Sequence, residues 1–397
     1  MHGFYRMRQY KEPHMDRVNK LIKTASDFIK KETVLSAAAV LAVASCFLVP
    51  PDKSYPGYID FRTLALLFSL MAVTAGLRSQ GVFYDFGRIL LSKAGSVRQI
   101  VLVLMLLCFF SSMLITNDVA LITFVPFSFA VLGMMGAEAS RRYLLPVVCI
   151  QTIAANLGSM FTPIGNPQNL YLQGKSGLSL GGFAELMLPY TLASLTLLCV
   201  WIFMLCRKRG KAKMEIDAPA KTKSRGLVIM YTLLFILCLT TVMRVLPWQW
   251  LVGIVVAAVL IADRKTLRDI DYSLLLTFVG FFIFIGNLGR IPAFSSWLCA
   301  ALKGREVPIS VLASQVISNV PAALLLSGFT DKVPLLILGT NLGGLGTLIA
   351  SMASLISFRQ VAAVASESKG RYFLMFTVSN LVFLAALLLL WAAITNL

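Results

Sequence analysis

The chain has 397 residues, of which 58% are hydrophobic and only 14% are charged, and its formal net charge is +18. A soluble domain carries roughly 25% charged residues, so this composition excludes an ordinary soluble protein and indicates an all-α protein that crosses a membrane several times. The basic excess does not indicate nucleic-acid binding, because Lys and Arg lie in short segments between long apolar runs and form no compact basic domain.

The basic N-terminal segment, residues 1–33, precedes the first apolar run. Within it, residues 16–31 place apolar side chains on one helical face and lysines on the other, which predicts an amphipathic helix in the lipid headgroup region. We expect the whole segment to be cytoplasmic.

The first half of the membrane region, 34–206, contains six predicted elements. Spanning the hydrocarbon takes roughly 20 helical residues, and fewer where the flanks reach the headgroups or the helix is broken. Two of the elements carry polar interruptions inside apolar sequence and therefore predict a helical hairpin and a broken helix. In chain order the elements are helices 34–50 and 59–77, an amphipathic link 81–94, the hairpin 97–134, the broken helix 141–172 and helix 186–206.

A second half, 248–397, repeats this order after a linker region, 207–247. The linker region combines a basic cytoplasmic segment, 207–225, with one extra helix, 226–243. An odd helix between two similar halves inverts the second half in the membrane. The predicted elements of the second half are helices 248–262 and 272–289, a link 291–303, the hairpin 306–329, the broken helix 333–357 and helix 371–396.

Two matched stretches reveal the duplication directly. NLGSMFTPIGNPQNL (156–170) and NLGGLGTLIASMASL (341–355) share six identities in fifteen positions, where unrelated stretches share about one. Each follows a second matched element, Ile-Thr-Asn at 115–117 and Ile-Ser-Asn at 317–319. Polar, helix-breaking residues at equivalent places in two inverted halves predict a binding site near the middle of the bilayer.

The distribution of positive charge agrees with this topology. If each hairpin enters and leaves by one face, 28 of the 36 Lys and Arg residues lie on the cytoplasmic side. Such a bias is the positive-inside rule. It accounts for the net charge without a nucleic-acid partner.

The four interruptions supply the chemistry of the predicted site. Pro163 and Pro167 remove backbone donors and break the first helix, and glycines at 343, 344 and 346 weaken the second. Freed helix C-termini offer carbonyls to a cation, and freed N-termini offer amides to an anion. We expect a small-molecule anion to bind at the tips and breaks, through Thr116, Asn117, Asp118, Thr162, Asn166, Asn169, Ser318, Asn319, Thr347 and Ser351.

Other chemistries are excluded. The two histidines, His2 and His14, both lie in the N-terminal tail, so no His-based metal site or catalytic triad can form within the membrane. No phosphate-binding loop or nucleophile elbow is present, so we predict that the chain is not an enzyme and holds no cofactor. The seven cysteines lie in or beside apolar segments without Cys-x-x-Cys spacing, which predicts free thiols.

The hairpin tips and the motif ANLGSMFTPIGNPQNLYL resemble the ion transporter superfamily, and within it the citrate-transporter-like permeases. That group is similar to the divalent-anion:sodium symporters, the arsenite permease and one type of sodium/proton antiporter. The resemblance covers residues 34–396 and implies a homodimeric, elevator-type transporter in the inner or plasma membrane of a bacterium or archaeon. It also implies candidate Na⁺ sites at Asn117, Asn156, Gly158, Asn319, Asn341 and Gly343.

One departure from the symporter pattern leaves the substrate open. The tips of the symporters resemble the sequence Ser-Asn-Thr, whereas this chain has Asp118 and Val320 at the third positions of its two tips. Asp118 is the acidic residue that the sequence places deepest in an apolar segment, and such a residue marks a functional site by default. We expect symport of a small anion, such as citrate or an inorganic oxyanion, with Na⁺ or H⁺. The alternatives are a sodium/proton antiporter using Asp118, and an arsenite or antimonite efflux permease, because arsenite is uncharged at pH 7 and the interruptions contain no Lys or Arg.

Overall fold

A computed structural model describes residues 32–207 and 224–396 of the chain. The predicted amphipathic helix 16–31 lies outside the described residues, as does most of the linker 207–225. The described part is helical throughout, and seven of its helices are long and apolar enough to cross a membrane. The predicted class, an all-α polytopic membrane protein, is therefore confirmed.

Seventeen α-helices occur in the described residues. Those before the linker are α1 (Thr33–Leu48), α2 (Phe61–Ser79), α3 (Val82–Leu91), α4 (Val97–Ile115), α5 (Asn117–Met134), α6 (Ala137–Ser159), α7 (Pro167–Ser176) and α8 (Leu180–Leu205). Those after it are α9 (Arg225–Val242), α10 (Trp248–Ala262), α11 (Tyr272–Gly289), α12 (Pro292–Leu302), α13 (Glu306–Ile317), α14 (Asn319–Ser327), α15 (Val333–Leu342), α16 (Met352–Val364) and α17 (Lys369–Thr395).

The helix boundaries follow the sequence closely, and the two largest differences are at α8 and α16. Helix α8 begins six residues before the expected position, because Ser179 caps it by accepting a hydrogen bond from the Gly182 amide (3.0 Å). Helix α16 ends at Val364, seven residues after the expected end of the second broken helix. All seven cysteines are free thiols, as expected.

The chain divides into two compact units. The first comprises Met1–Ile59 and Tyr272–Asn287. In its described part, α1 approaches α11 closely where a Cβ on Gly280 would lie 3.1 Å from the Ala38 Cβ. The Asn287 amide donates to Ser45 Oγ (2.9 Å) and to the Tyr55 hydroxyl (2.8 Å).

The second unit comprises Asp60–Asp271 and Leu288–Leu397 and contains every residue of the predicted site. Helices α4 and α5 form the first hairpin and pack on α6, and α13 and α14 form the second hairpin and pack on α15. The predicted breaks are present: α6 ends at Ser159 before α7 starts at Pro167, and α15 ends at Leu342 before α16 starts at Met352. The inversion of the halves in a membrane stays a prediction.

Candidate functional site

The two hairpin tips have nearly identical, strained backbones. Thr116 adopts φ 68° and ψ 151°, and Ser318 adopts φ 71° and ψ 156°. Residues with a side chain rarely occupy positive φ, and a β-branched threonine does so at a cost of about 1–3 kcal/mol. The same strain at equivalent places in both halves indicates that each tip geometry is required.

Hydrogen bonds join each tip to one break. The Asn117 amide donates to Asn156 Oδ1 (2.9 Å), while Asn117 Oδ1 accepts from the Asp118 backbone amide (2.9 Å). In the other half, the Asn319 backbone amide donates to the Ala350 carbonyl (3.0 Å). Asn117, Asn156 and Asn319 are all buried. The structure thus brings both predicted tip asparagines into the centre of the second unit.

The two broken helices bond to each other reciprocally. Asn156 donates to Ser354 Oγ (3.4 Å), and Asn341 donates to Asn169 Oδ1 (2.7 Å). In the aligned repeats Asn156 is equivalent to Asn341, and Asn169 is equivalent to Ser354. Each half therefore uses the last helical turn before its break to hold the first turn after the other half's break, as expected for two elements related by a twofold axis.

The contacts of hairpin with broken helix are also duplicated. Thr162 Oγ1 donates to the Met113 carbonyl, and its equivalent Thr347 donates to the Gln315 carbonyl (3.2 Å). Close approach at a glycine occurs in both halves: a Cβ on Gly158 would lie 2.6 Å from Ser112 Oγ, and one on Gly343 would lie 2.7 Å from Ser314 Oγ. Glycine at these two positions lets the hairpin and the broken helix touch.

Four helices begin at the site without a side-chain cap. Their N-cap residues are Thr116, Asn166, Ser318 and Ser351, types that normally accept a hydrogen bond from the first turn, yet none does so here. Asn166 instead donates to Ser159 Oγ (2.6 Å), and Ser351 to Asn156 Oδ1 (3.0 Å). The positive ends of four helix dipoles therefore lie at the site, where they favour an anion, although the Asp118 and Asn319 backbone amides already donate to Asn117 Oδ1 and to the Ala350 carbonyl.

Several buried polar atoms at the tips and breaks have no hydrogen-bond partner in the described protein. They are Asp118 Oδ1, Asn341 Oδ1 and both side-chain polar atoms of Gln168. A native structure rarely leaves such atoms unpaired, so each indicates a water, an ion or a ligand. The unpaired oxygens could bind a cation, and the Gln168 amide could donate to an anion.

Sequence reasoning missed one contributor, Gln315, which holds the second break by donating to the Gly343 and Leu345 carbonyls (2.9 and 3.0 Å). Gln168, a polar residue of the first break, is fully buried. Glu306, the first residue of α13, is also buried, with 2% of its surface exposed, whereas Asp118 is half-buried. A glutamine within the apolar hairpin 306–329 was the available signal for Gln315.

Thr347 does not join the buried cluster. Its side chain is exposed, and its backbone amide donates to Gln315 Oε1 (2.9 Å). The remaining predicted site residues are buried or half-buried at the tips and breaks. None of them is Lys or Arg, so the cluster contains no fixed positive side chain.

Comparisons with known proteins identify the family. The model of a family described as citrate transporter (CitMHS) matches residues 28–330. The match takes in the first half, the extra helix and the second hairpin, and it ends before α15, whereas the resemblance was expected to extend to residue 396.

Relatives come from bacteria, archaea and plants. The chain is 31% identical to the inner membrane protein YbiR of Escherichia coli (strain K12), over 81% of this chain and 85% of the relative. It is also 31% identical to the uncharacterized transporter MJ0456 of Methanocaldococcus jannaschii, over 76% and 81% of the two chains. A shorter match, 31% identical over 39% of this chain and 32% of the relative, is to the silicon efflux transporter LSI3 of Oryza sativa subsp. japonica.

The family match and the matches to YbiR and MJ0456 extend over most of the chain. The family and the relatives are transporters and not enzymes, as the sequence predicted. With seven candidate spans and an inner-membrane relative, the chain is an integral membrane protein. The chain belongs to the citrate transporter (CitMHS) family.

Proposed function

We propose that this member of the transporter family carries a small anion, a carboxylate such as citrate or an inorganic oxyanion, and couples its movement to Na⁺ or H⁺. The supporting observation is the meeting of four uncapped helix N-termini, at Thr116, Asn166, Ser318 and Ser351, in one buried cluster without Lys or Arg. Backbone amides and helix dipoles then supply the positive potential that an anion needs.

A co-transported cation supplies the remaining positive charge. Hard cations such as Na⁺ bind oxygen atoms, and unpaired buried oxygens lie at the first tip, on Asp118, and at the second break, on Asn341. Asp118 follows Asn117, whose amide is bonded to Asn156. We expect one cation site in each half, because the two halves are repeats of each other.

We further propose that the solute crosses the membrane by an elevator mechanism, in which a part of the protein carries it across. The hairpins and broken helices move together as a transport unit, and the protein is a homodimer. Cross-linking of the reconstituted protein tests the dimer. Inter-residue distances by electron paramagnetic resonance, with and without solute, test a rigid movement of the hairpins.

A second candidate is efflux of an uncharged oxyacid such as arsenite or antimonite. Two observations favour it: the cluster contains no Lys or Arg, and a relative is named as a silicon efflux transporter. Dissolved silicon and trivalent arsenic are both mainly uncharged hydroxy acids at pH 7. A sodium/proton antiporter that uses Asp118 is the third candidate, favoured by the unpaired Asp118 Oδ1.

Transport in sealed proteoliposomes tests these candidates. Labelled citrate, phosphate and arsenite are offered one at a time, with an imposed Na⁺ or pH gradient as the only driving force. We expect one anion to accumulate above its external concentration, and the accumulation to collapse in Asn117→Ala. Thr196→Ala is the matched control, because Thr196 bonds only to Leu192 within its own helix and is exposed.

Each alternative gives a different result. Solute that equilibrates without accumulating indicates a channel and contradicts the proposal. Gradient-driven movement of arsenite alone favours the oxyacid candidate. Na⁺-dependent proton movement without any solute, abolished in Asp118→Asn, favours the antiporter. In the anion symporter, Asp118→Asn retains Na⁺-driven uptake with an altered pH dependence.

A further inference from the structure

An open cavity of about 440 Å³, lined by both polar and apolar side chains, lies in the second unit, apart from the tips and breaks. Its walls come from the starts of α2 and α10 and from the ends of α7 and α9, and they include Arg62, Arg244 and Trp248. The volume falls in the range of small-ligand sites, about 300–1,000 Å³. Gly174 in its wall is eight residues along α7 from Asn166, which places the cavity about 12 Å from the first break.

Two guanidinium groups meet in this cavity at Gly174. Arg244 Nη2 donates to the Gly174 carbonyl (2.9 Å), and a Cβ on Gly174 would lie 3.0 Å from Arg62 Nη1. Arg62 Nη2 also donates, at 3.3 and 3.4 Å, to the last carbonyls of α9. In the described protein, Arg62 Nε and Nη1 and Arg244 Nε and Nη1 donate no hydrogen bond, so four donor groups remain for a ligand.

Arg244 adopts a backbone conformation that normally favours glycine. Arg244 has φ 64°, and the Val245 amide bonds back to the Thr240 carbonyl (2.9 Å), as in a left-handed helix C-cap. Glycine is the usual residue there because it adopts this conformation without strain. The other non-glycine residues with positive φ in the described chain are Thr116 and Ser318. A non-glycine residue in this unfavourable conformation indicates that the side chain of Arg244 has a function.

Nearby negative charge neutralises the pair only in part. Asp60 lines the same cavity, but its two carboxylate oxygens accept from the Thr63 amide (3.0 Å) and the Thr63 hydroxyl (2.6 Å) at the start of α2. The cavity therefore contains one carboxylate, which caps α2, and two guanidinium groups. Like charges held together at one wall favour a bound anion between them.

We propose that the cavity at Arg62 and Arg244 binds an oxyanion group, a carboxylate or a phosphate, at a second site separate from the tips and breaks. The planar guanidinium forks match the two oxygens of such a group. The group comes either from a free anion in solution or from the phosphate of a lipid headgroup. The proposal stands without the proposed transport function, because it concerns binding alone.

Fluorescence of Trp248, which lines the cavity, provides a local measurement of binding. The full-length protein is placed in nanodiscs of phosphatidylcholine, and inorganic phosphate or citrate is added. A second set of nanodiscs contains phosphatidylglycerol and no added anion. Trp248→Phe identifies the part of the signal that comes from the cavity, and thermal stability is measured in parallel.

Arg244→Gly separates anion binding from folding. Because glycine suits the left-handed position, we expect the unliganded variant to melt no lower than the parent protein, and to bind the anion at least about tenfold more weakly. Arg62→Lys keeps the charge but loses the fork, and we expect weaker binding of the anion. The melting temperature of this variant shows separately what the lost bonds to the α9 carbonyls cost. Arg305→Gln removes an exposed arginine that lies outside the cavity and should change neither measurement.

Each outcome decides the proposal. A Trp248 response to phosphate or citrate that is lost in Arg244→Gly supports a free anion as the ligand. A response only in phosphatidylglycerol nanodiscs, lost in the same variant, supports a lipid phosphate. No response to either, or an equal response in Arg244→Gly, overturns the proposal. If Arg244→Gly then also melts at a lower temperature than the parent protein, the role of Arg244 is to cap the helix and not to bind an anion.

Discussion

Asn156 is a residue whose side chain hydrogen-bonds to both repeats, the first half (34–206) and the second half (248–397). Its Oδ1 accepts from Asn117 Nδ2 and from Ser351 Oγ, and its amide donates to Ser354 Oγ. One side chain thus ties the tip of the first hairpin to the break of the second half. All four residues are buried, where an unpaired polar group is costly.

Replacing Asn156 with Ala should therefore be strongly destabilising. The change leaves the Asn117 amide and the Ser351 hydroxyl without their acceptor, at about 1–3 kcal/mol for each buried group. Thermal melting of the purified variant measures the loss. Asn380→Ala is the control, because Asn380 is equally buried but donates only to Phe376 in its own helix. Equal losses in the two variants would contradict the assigned role of Asn156.

Gly158→Ala should lower stability by about 1–3 kcal/mol, as overpacking does. Its Cβ would overlap the Phe109 carbonyl oxygen of α4 and crowd Ser112 Oγ. Gly133 provides the matched control, because a Cβ there meets nothing within 4 Å. We expect Gly133→Ala to be neutral or slightly stabilising by melting temperature. A neutral Gly158→Ala would show that the hairpin and the broken helix are not in contact there.

At the scale of elements, the hairpins and broken helices form one duplicated arrangement. Helix α5 packs on α16, and α14 packs on α7, so each hairpin touches the second part of the opposite broken helix. The tips have matching torsions at Thr116 and Ser318. Strain at a tip persists only when the surrounding contacts hold it.

Relief of that strain can be measured. Thr116→Gly should leave the melting temperature unchanged or raise it, because glycine accepts φ 68° and the Thr116 side chain makes no capping bond. Thr123→Gly, in the interior of α5, should cost about 0.5 kcal/mol, because glycine is a poorer helix former than threonine. If Thr116→Gly destabilises the protein as much as Thr123→Gly does, the tip is not strained.

At the scale of the whole molecule, the predicted inversion of the two halves places the hairpin bases on opposite sides of the membrane. Lys93 lies just before the first hairpin and Lys332 just after the second, and both side chains are exposed. The positive-inside pattern assigns Lys93 to the cytoplasm and Lys332 to the outside.

Labelling of introduced cysteines tests this topology. In a protein whose seven cysteines are replaced, an impermeant maleimide should label Lys332→Cys in intact cells, and Lys93→Cys only in inverted vesicles. Labelling of both from one side would contradict the inversion, and with it the assignment of the N-terminus to the cytoplasm.

Much of the fold followed from local sequence. Apolar length set the helices, and prolines at 163 and 167 with glycines at 343, 344 and 346 set the breaks, because these effects act within one or two turns. The repeat alignment also predicted which asparagines are equivalent. The sequence could not show that Asn156 bonds to Ser354 and Asn341 to Asn169, across 198 and 172 residues.

By itself, the amino-acid sequence determined that this protein is helical, lies in a membrane, is duplicated, and has polar breaks in both halves. Only the tertiary structure decided which groups share a site. It placed Gln315 across the second break, buried Glu306, and brought Arg62 to the carbonyl of Thr241, 179 residues away. Solvent exclusion and helix propensity act locally along the chain, whereas hydrogen-bond partners are selected by packing between segments that sequence order leaves far apart.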